Sequence, residues 1–169
     1  MMTIKKILSY TLVLGVLGLG LVSCDKDDDD SFALATGVEA VTTLPEAART
    51  TLTAISGAQV SNTKTYSVLS ERGAKYESYL TLSGVSLELE FDALGNWLDV
   101  EAQGYAAIPE SMLTALGLPQ TMLDYLRTNA LLAQVEEVER TVYGYKVDLR
   151  NDISLQFNQT GGYVATYRD

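Results

Sequence analysis

Val85-Ser86-Leu87-Glu88-Leu89-Glu90-Phe91 alternates apolar and polar residues without a break. Successive side chains of a strand point to opposite faces, so Val85, Leu87, Leu89 and Phe91 predict a dry side and Ser86, Glu88 and Glu90 a wet one. Each fully buried Leu or Phe contributes roughly 1.5–3 kcal/mol relative to exposure. A one-residue slip would bury the glutamates instead, so the register is strongly specified. The turn Asp92-Ala93-Leu94-Gly95-Asn96 leads into Trp97-Leu98-Asp99-Val100-Glu101. On unbroken alternation Leu98 and Val100 continue the apolar face, while Trp97, Asp99 and Glu101 share the other.

This hairpin is echoed near the C-terminus. Phe91/Phe157, Gly95/Gly161, Trp97/Tyr163 and Leu98/Val164 stand 66 residues apart, at strand end, turn and strand start. Upstream of the first hairpin, Thr43 and Glu46 have capping-box spacing around Pro45. Ala48, Leu52 and Ile55 form one helix face, and Gly57 is a stop. Lys64–Ser70 and Lys75–Leu82 predict a hairpin about Glu71-Arg72-Gly73. Upstream of the second, Met112, Leu113 and Leu116 and then Met122, Leu123 and Leu126 predict two short helical pieces. Strands follow at 133–142, 143–149, 153–157 and 163–167. The expected architecture is α+β: a tandem repeat of helix plus four-stranded antiparallel sheet, with helices on one face. The divisions are a signal peptide (1–23), an acidic tether (24–41), a first α-β repeat (42–107) and a second (108–169).

The N-terminus carries an address. Lys5 and Lys6 precede an apolar run to Val22, and Leu21-Val22-Ser23-Cys24 places small residues before the chain's single cysteine. That is the pattern of a cleaved export signal. Leu-Val-Ser-Cys also resembles a bacterial lipobox, which implies Cys24 as the acylated residue and the membrane as its partner, the alternative being an ordinary signal peptide that contains a cysteine. One cysteine allows no intramolecular disulfide. The acidic run through Asp27 to Asp30 self-repels, hence a solvated tether. Cys-Asp-Lys-Asp-Asp resembles an outer-membrane surface signal, so the expected location is a lipid anchor on the bacterial outer membrane, facing the cell surface. Loss of Lys5 and Lys6 takes the net charge from −10 to −12. A chain so acidic repels nucleic acid, which is excluded as a partner.

Composition also narrows the chemistry. The chain has no histidine, which removes the commonest general base and metal ligand. No serine sits in a nucleophile motif. Glu88 with Glu90, or Asp99 with Glu101, read as solvated strand positions rather than an acid/base pair. Asp92, Asn96 and Asp99 cluster around a glycine turn without the spacing of a calcium loop. Neither catalytic residues, metal nor cofactor is expected.

What remains is aromatic. Trp97, Tyr163, Tyr167 and Tyr79 alternate onto the face away from the helices, beside Asp99 and Glu101, and would give a protein partner large contact area at low entropy cost. The competing readings are cross-strand aromatic pairing, a platform that stacks glycans or a small ligand, and an envelope spacer with no discrete ligand. A bulge would reverse the facing of these residues, and a buried Trp97 would favour the spacer.

The segment Phe91–Glu101, then Ile108-Pro109, then Tyr143-Gly144-Tyr145-Lys146-Val147-Asp148-Leu149, together with the lipobox, resembles the exported PepSY-like proteins, also called beta-lactamase-inhibitor-like. The likeness covers about Leu44 to Tyr167. In the second copy Asn158 replaces the acidic residue and Gly162-Tyr163 replaces Asn-Trp. The resemblance implies tandem α-plus-antiparallel-sheet repeats and an association with binding or inhibiting exported enzymes such as peptidases. It implies no catalytic residues.

Overall fold

A computed structural model describes residues 30–33, 42–66 and 68–168. Nine antiparallel strands run in strict sequence order across one sheet. They are β1 (Asp30–Ala33), β2 (Gln59–Tyr66), β3 (Tyr76–Leu82), β4 (Val85–Phe91), β5 (Trp97–Ala102), β6 (Val135–Thr141), β7 (Gly144–Leu149), β8 (Ile153–Asn158) and β9 (Tyr163–Arg168). Helix α1 (Glu46–Ala54) precedes β2, and α2 (Glu110–Ala115) and α3 (Gln120–Thr128) precede β6. A helix followed by four strands therefore occurs in each half. The signal peptide, Cys24 and most of the expected tether lie outside the described residues. Within the expected tether, however, Asp30–Ala33 pairs with Thr63–Tyr66, so ordered pairing begins before the first repeat's expected start at residue 42.

The helices cover one face because the strands' alternate residues are apolar there. Leu87, Leu89 and Phe91 from β4, Val100 from β5, Val138 from β6, and Leu155 and Phe157 from β8 share one core cluster with Ala48 and Leu52 of α1 and Met122, Leu123 and Leu126 of α3. Each helix starts after a proline: Pro45, Pro109 and Pro119 occupy the cap positions, with no side-chain cap hydrogen bond. The expected capping box at Thr43 is thus not what starts α1. Proline's fixed φ suits a helix start, where its missing N–H costs nothing. Between β5 and β6 the ladder is short, with Asp99↔Glu139, Val100↔Val138 and Glu101↔Glu137 as its register pairs.

Both long-range hairpins press on a helix start. Gly95 sits at φ +89°, and a Cβ there would lie 2.8 Å from the Ala48 amide nitrogen. Gly161 sits at φ +82°, and its Cβ would lie 2.6 Å from Pro119 Cβ and 2.9 Å from the Met122 nitrogen. Left-handed backbone and absent space select glycine at both turns. The turns are closed by like devices. Asp92 accepts from the Leu94 and Asn96 amides, both at 2.8 Å, and Asn158 Oδ1 accepts from the Thr160 and Gly162 amides at 3.0 and 2.9 Å.

Candidate functional site

The hairpins also correct the facing of the aromatics. Phe91 pairs with Trp97 but Glu90 pairs with Asp99, so Leu98 is an extra residue and the alternation restarts. A bulge of this kind turns the side chain before it to the opposite face from the one simple alternation gives. Trp97 consequently lies under the helices at 6 % exposure, its indole N–H donating to the Leu116 carbonyl at 3.0 Å. Its ring stacks with Tyr145, and the Arg140 guanidinium stands 5.8 Å from the ring centre. The second hairpin repeats the bulge: Phe157 pairs with Tyr163 and Gln156 with Ala165. Tyr163 stacks on Tyr125 of α3 at 4.8 Å and meets Phe157 edge-on. Neither residue belongs to the outer face.

Of the four expected aromatics, Tyr79 and Tyr167 do face outward, yet they share no platform. They sit on β3 and β9, six strand spacings or roughly 29 Å apart. Tyr167 is occupied locally, its hydroxyl donating to Gln156 Oε1 at 3.0 Å. Neither an aromatic protein-binding face nor a glycan-stacking surface centred on Trp97 and Tyr163 is therefore present, and the burial of Trp97 is the outcome that favours a spacer with no discrete ligand over an aromatic platform.

The outer face is acidic instead. Pairing places Glu77 opposite Glu90, Tyr79 opposite Glu88, Glu88 opposite Glu101, Glu90 opposite Asp99, and Glu101 opposite Glu137. Like charges stand opposite one another from β3 to β6, a destabilising arrangement unless something compensates it. The compensation is partial. Arg72, from the β2–β3 connection, pairs with Asp99 Oδ2 and lies 3.0 Å from Glu137 Oε1. Lys64 faces Glu77 across β2 and β3 and lies over the Tyr66 ring.

Glu101 is exposed as the alternation suggests, but the other carboxylates here are not the solvated positions it implies. Glu77 is 2 % and Asp99 3 % exposed. Tyr66 donates its hydroxyl to Glu77 Oε2, but Glu77 Oε1, Glu90 Oε2 and Asp99 Oδ1 are buried without a hydrogen-bond partner. Burial, and after it the Glu77 charge, pushes the Glu88 carboxyl up to about 7. Glu90 is raised by burial, against the pull of Arg72. Asp99 is raised by burial and then by Glu137, with Arg72 again opposing. Burial and the Glu77 hydrogen bond likewise raise the Tyr66 phenol. Asp92 behaves oppositely: burial works against its ionisation, but the Asn96 side chain and the amides of Asn96, Leu94 and Gly95 outweigh it and hold the pKa low. The turn carboxylate is thus spent on the hairpin, while one oxygen from each of Glu77, Glu88 and Glu90 lies within 4.8 Å of the others.

At one end of the sheet the hairpin tips expose Val68, Leu69, Leu94, Val142 and Tyr143. Among the described residues no helix is long and apolar enough to cross a membrane.

An open antiparallel sheet backed by helices, with an acid-rich free face, makes this an α+β module. The chain belongs to the PepSY-like family: the family described as "Putative beta-lactamase-inhibitor-like, PepSY-like" matches residues 74–164, more than half of it. Among solved structures it is similar to a "putative periplasmic protein of unknown function" from Bacteroides vulgatus, at 25 % identity and TM-score 0.59, covering 82 % of this chain and 98 % of that one. It is also similar to a "putative calcium-regulated periplasmic protein" from Bacteroides thetaiotaomicron, at 26 % identity and TM-score 0.59, covering 83 % and 98 %. No curated protein matches the chain. The family and these neighbours suggest an exported module, and their descriptions indicate no catalytic activity.

Proposed function

We propose that this is an exported, non-catalytic binding module that engages a basic protein surface through the outer face of its sheet. The observation that carries the reading is the row of carboxylates, Glu88, Glu90, Asp99, Glu101 and Glu137, facing one another across β4, β5 and β6 with Arg72 as the cation set among them. A fold that keeps like charges adjacent sacrifices stability, and complementary charge on a partner returns it while steering the encounter. The inhibitor-like description of the family supports an exported enzyme as the partner class. The neighbour described as calcium-regulated supports a face whose behaviour cations control.

The same proposal has the module anchored through Cys24 at the bacterial outer membrane, and built as two castings of one helix-and-four-strand unit. The paired bulges, the paired hairpin glycines and the proline-led helices support the latter. The test is capture from an envelope extract with the charge-reversed variants Glu101→Lys and Glu137→Lys, against Glu46→Lys on α1 as control. Loss of a captured basic protein only in the first two is expected. Capture unchanged by either reversal overturns the reading.

A further inference from the structure

Resting on the acidic-face reading and deepening it, we propose that Glu77, Glu88 and Glu90 hold a divalent cation of the hard, oxygen-preferring class to which calcium belongs. The three side chains come from two adjacent strands, Glu77 directly across from Glu90 and Glu88 one pleat further along β4. One oxygen of each lies within 4.8 Å of the other two. Calcium binds oxygens at about 2.3–2.6 Å, so a single ion can bridge carboxylates up to about 5 Å apart.

Acidic residues alone do not make a site. Here two of the oxygens in the trio's carboxylates, Glu77 Oε1 and Glu90 Oε2, are shut off from solvent without a well-aligned donor, the Tyr79 hydroxyl also standing close to the Glu77 carboxylate. Glu77 is almost wholly buried, with Tyr66 satisfying its other oxygen. An ionised carboxylate removed from water needs a counter-charge or a full set of donors. A proton would neutralise one carboxyl, whereas a divalent ion serves all three together. Glu88 also accepts from Gln103 at 3.2 Å, which steers that side chain while leaving its second oxygen for the ion.

The rest of the sheet supplies an independent comparison. Tyr76↔Phe91 and Tyr145↔Phe157 are matching pairs, so by register Lys146, Ser154 and Gln156 occupy on β7 and β8 the places of Glu77, Glu88 and Glu90. There the charge is balanced from within: Lys146 Nζ lies 2.7 Å from Asp148 Oδ2, and Ser154 donates to Asp148 Oδ1 at 2.5 Å. Where the second half sets one ammonium group against one carboxylate, the first half sets Lys64, across from Glu77, and Arg72 against a larger group of carboxylates. A bound divalent cation supplies the charge that these two leave over.

The test uses the purified full chain, stripped with chelator and titrated with calcium chloride by calorimetry. A parallel titration follows terbium luminescence sensitised by Tyr66 and Tyr79. One saturable site is expected, with calcium displacing terbium. Glu77→Gln and Glu90→Gln should each weaken calcium binding about tenfold or more, and Glu46→Gln should leave it unchanged. Glu90→Lys, which brings an ammonium group into the trio, should be at least as stable as the parent without calcium and gain nothing from it. Absence of saturable calcium binding in the parent chain overturns the site. So does parental affinity in folded Glu77→Gln and Glu90→Gln, which leaves the acidic-face reading intact. Capture unaffected by Glu101→Lys and Glu137→Lys sinks that reading without touching the calcium titration.

Discussion

On β3 and β4 the outer face carries Glu77, Glu88 and Glu90, and on β7 and β8 the same places carry Lys146, Ser154 and Gln156. The undersides of the two regions are alike, with Leu87, Leu89 and Phe91 matched by Ile153, Leu155 and Phe157 in or against one core. The core face therefore obeys the fold, whereas the outer face is free to differ. One half uses that freedom to neutralise itself. The other accumulates carboxylates whose oxygens lack partners, and such groups are retained at a cost in stability. On the reading proposed above, most of the acidic surface belongs to the first half, and Glu137 of β6 is the second half's contribution to it.

The largest test of the likeness is in the core. Phe91→Ala and Phe157→Ala remove fully buried rings from matching places, and each should cost about 3–5 kcal/mol in urea denaturation. A cost below half of that at either position would break the equivalence. Calcium comes next: at a concentration about one hundred times its dissociation constant, binding to the native state should add about 2.7 kcal/mol to the parent. Glu90→Lys should show none of this, as read by thermal melts with and without chelator. Smaller again is the difference between the hairpin aromatics. Trp97→Phe loses the buried bond to the Leu116 carbonyl and should cost about 1–2 kcal/mol, while Tyr163→Phe loses only an exposed hydroxyl contact to Thr166 and should stay within about 0.5 kcal/mol.

A further effect is with pH. Glu88 has its native pKa raised to about 7, so the folded chain holds a proton there that the unfolded chain has released. Its contribution to stability is present below the unfolded carboxylate pKa and is lost as pH rises through about 7. The calcium-free melting temperature should rise as pH falls from about 8 to about 5, and Glu88→Gln should reduce that slope, the raised Asp99 and Glu90 carrying the rest.

Much of this was legible in the chain itself. The alternation of Val85–Phe91, the stripe of Met122, Leu123 and Leu126, and the hairpin echo all rest on local periodicity, and the structure contains those elements. The position of Trp97 was not legible, because whether pairing resumes at residue 97 or 98 depends on how the Asp92–Asn96 turn closes against α1, a contact distant in sequence. The glutamate cluster was within reach. Ser83 and Gly84, both at positive φ, form a two-residue hairpin turn, and that turn alone sets Glu77 opposite Glu90 and Tyr79 opposite Glu88. What no local pattern reveals is their burial, which comes from neighbouring strands and from Arg72 reaching across the sheet.

The short ladder between β5 and β6 has a mechanical consequence. Among the described strands it is the only backbone seam joining the two halves, and it sets Asp99 against Glu139 and Glu101 against Glu137 with Arg72 as the stitch. Whatever lands on that seam with positive charge would act as a rivet, stiffening the join between one half and the other. Occupancy of the surface and rigidity of the whole body are then set by the same few atoms.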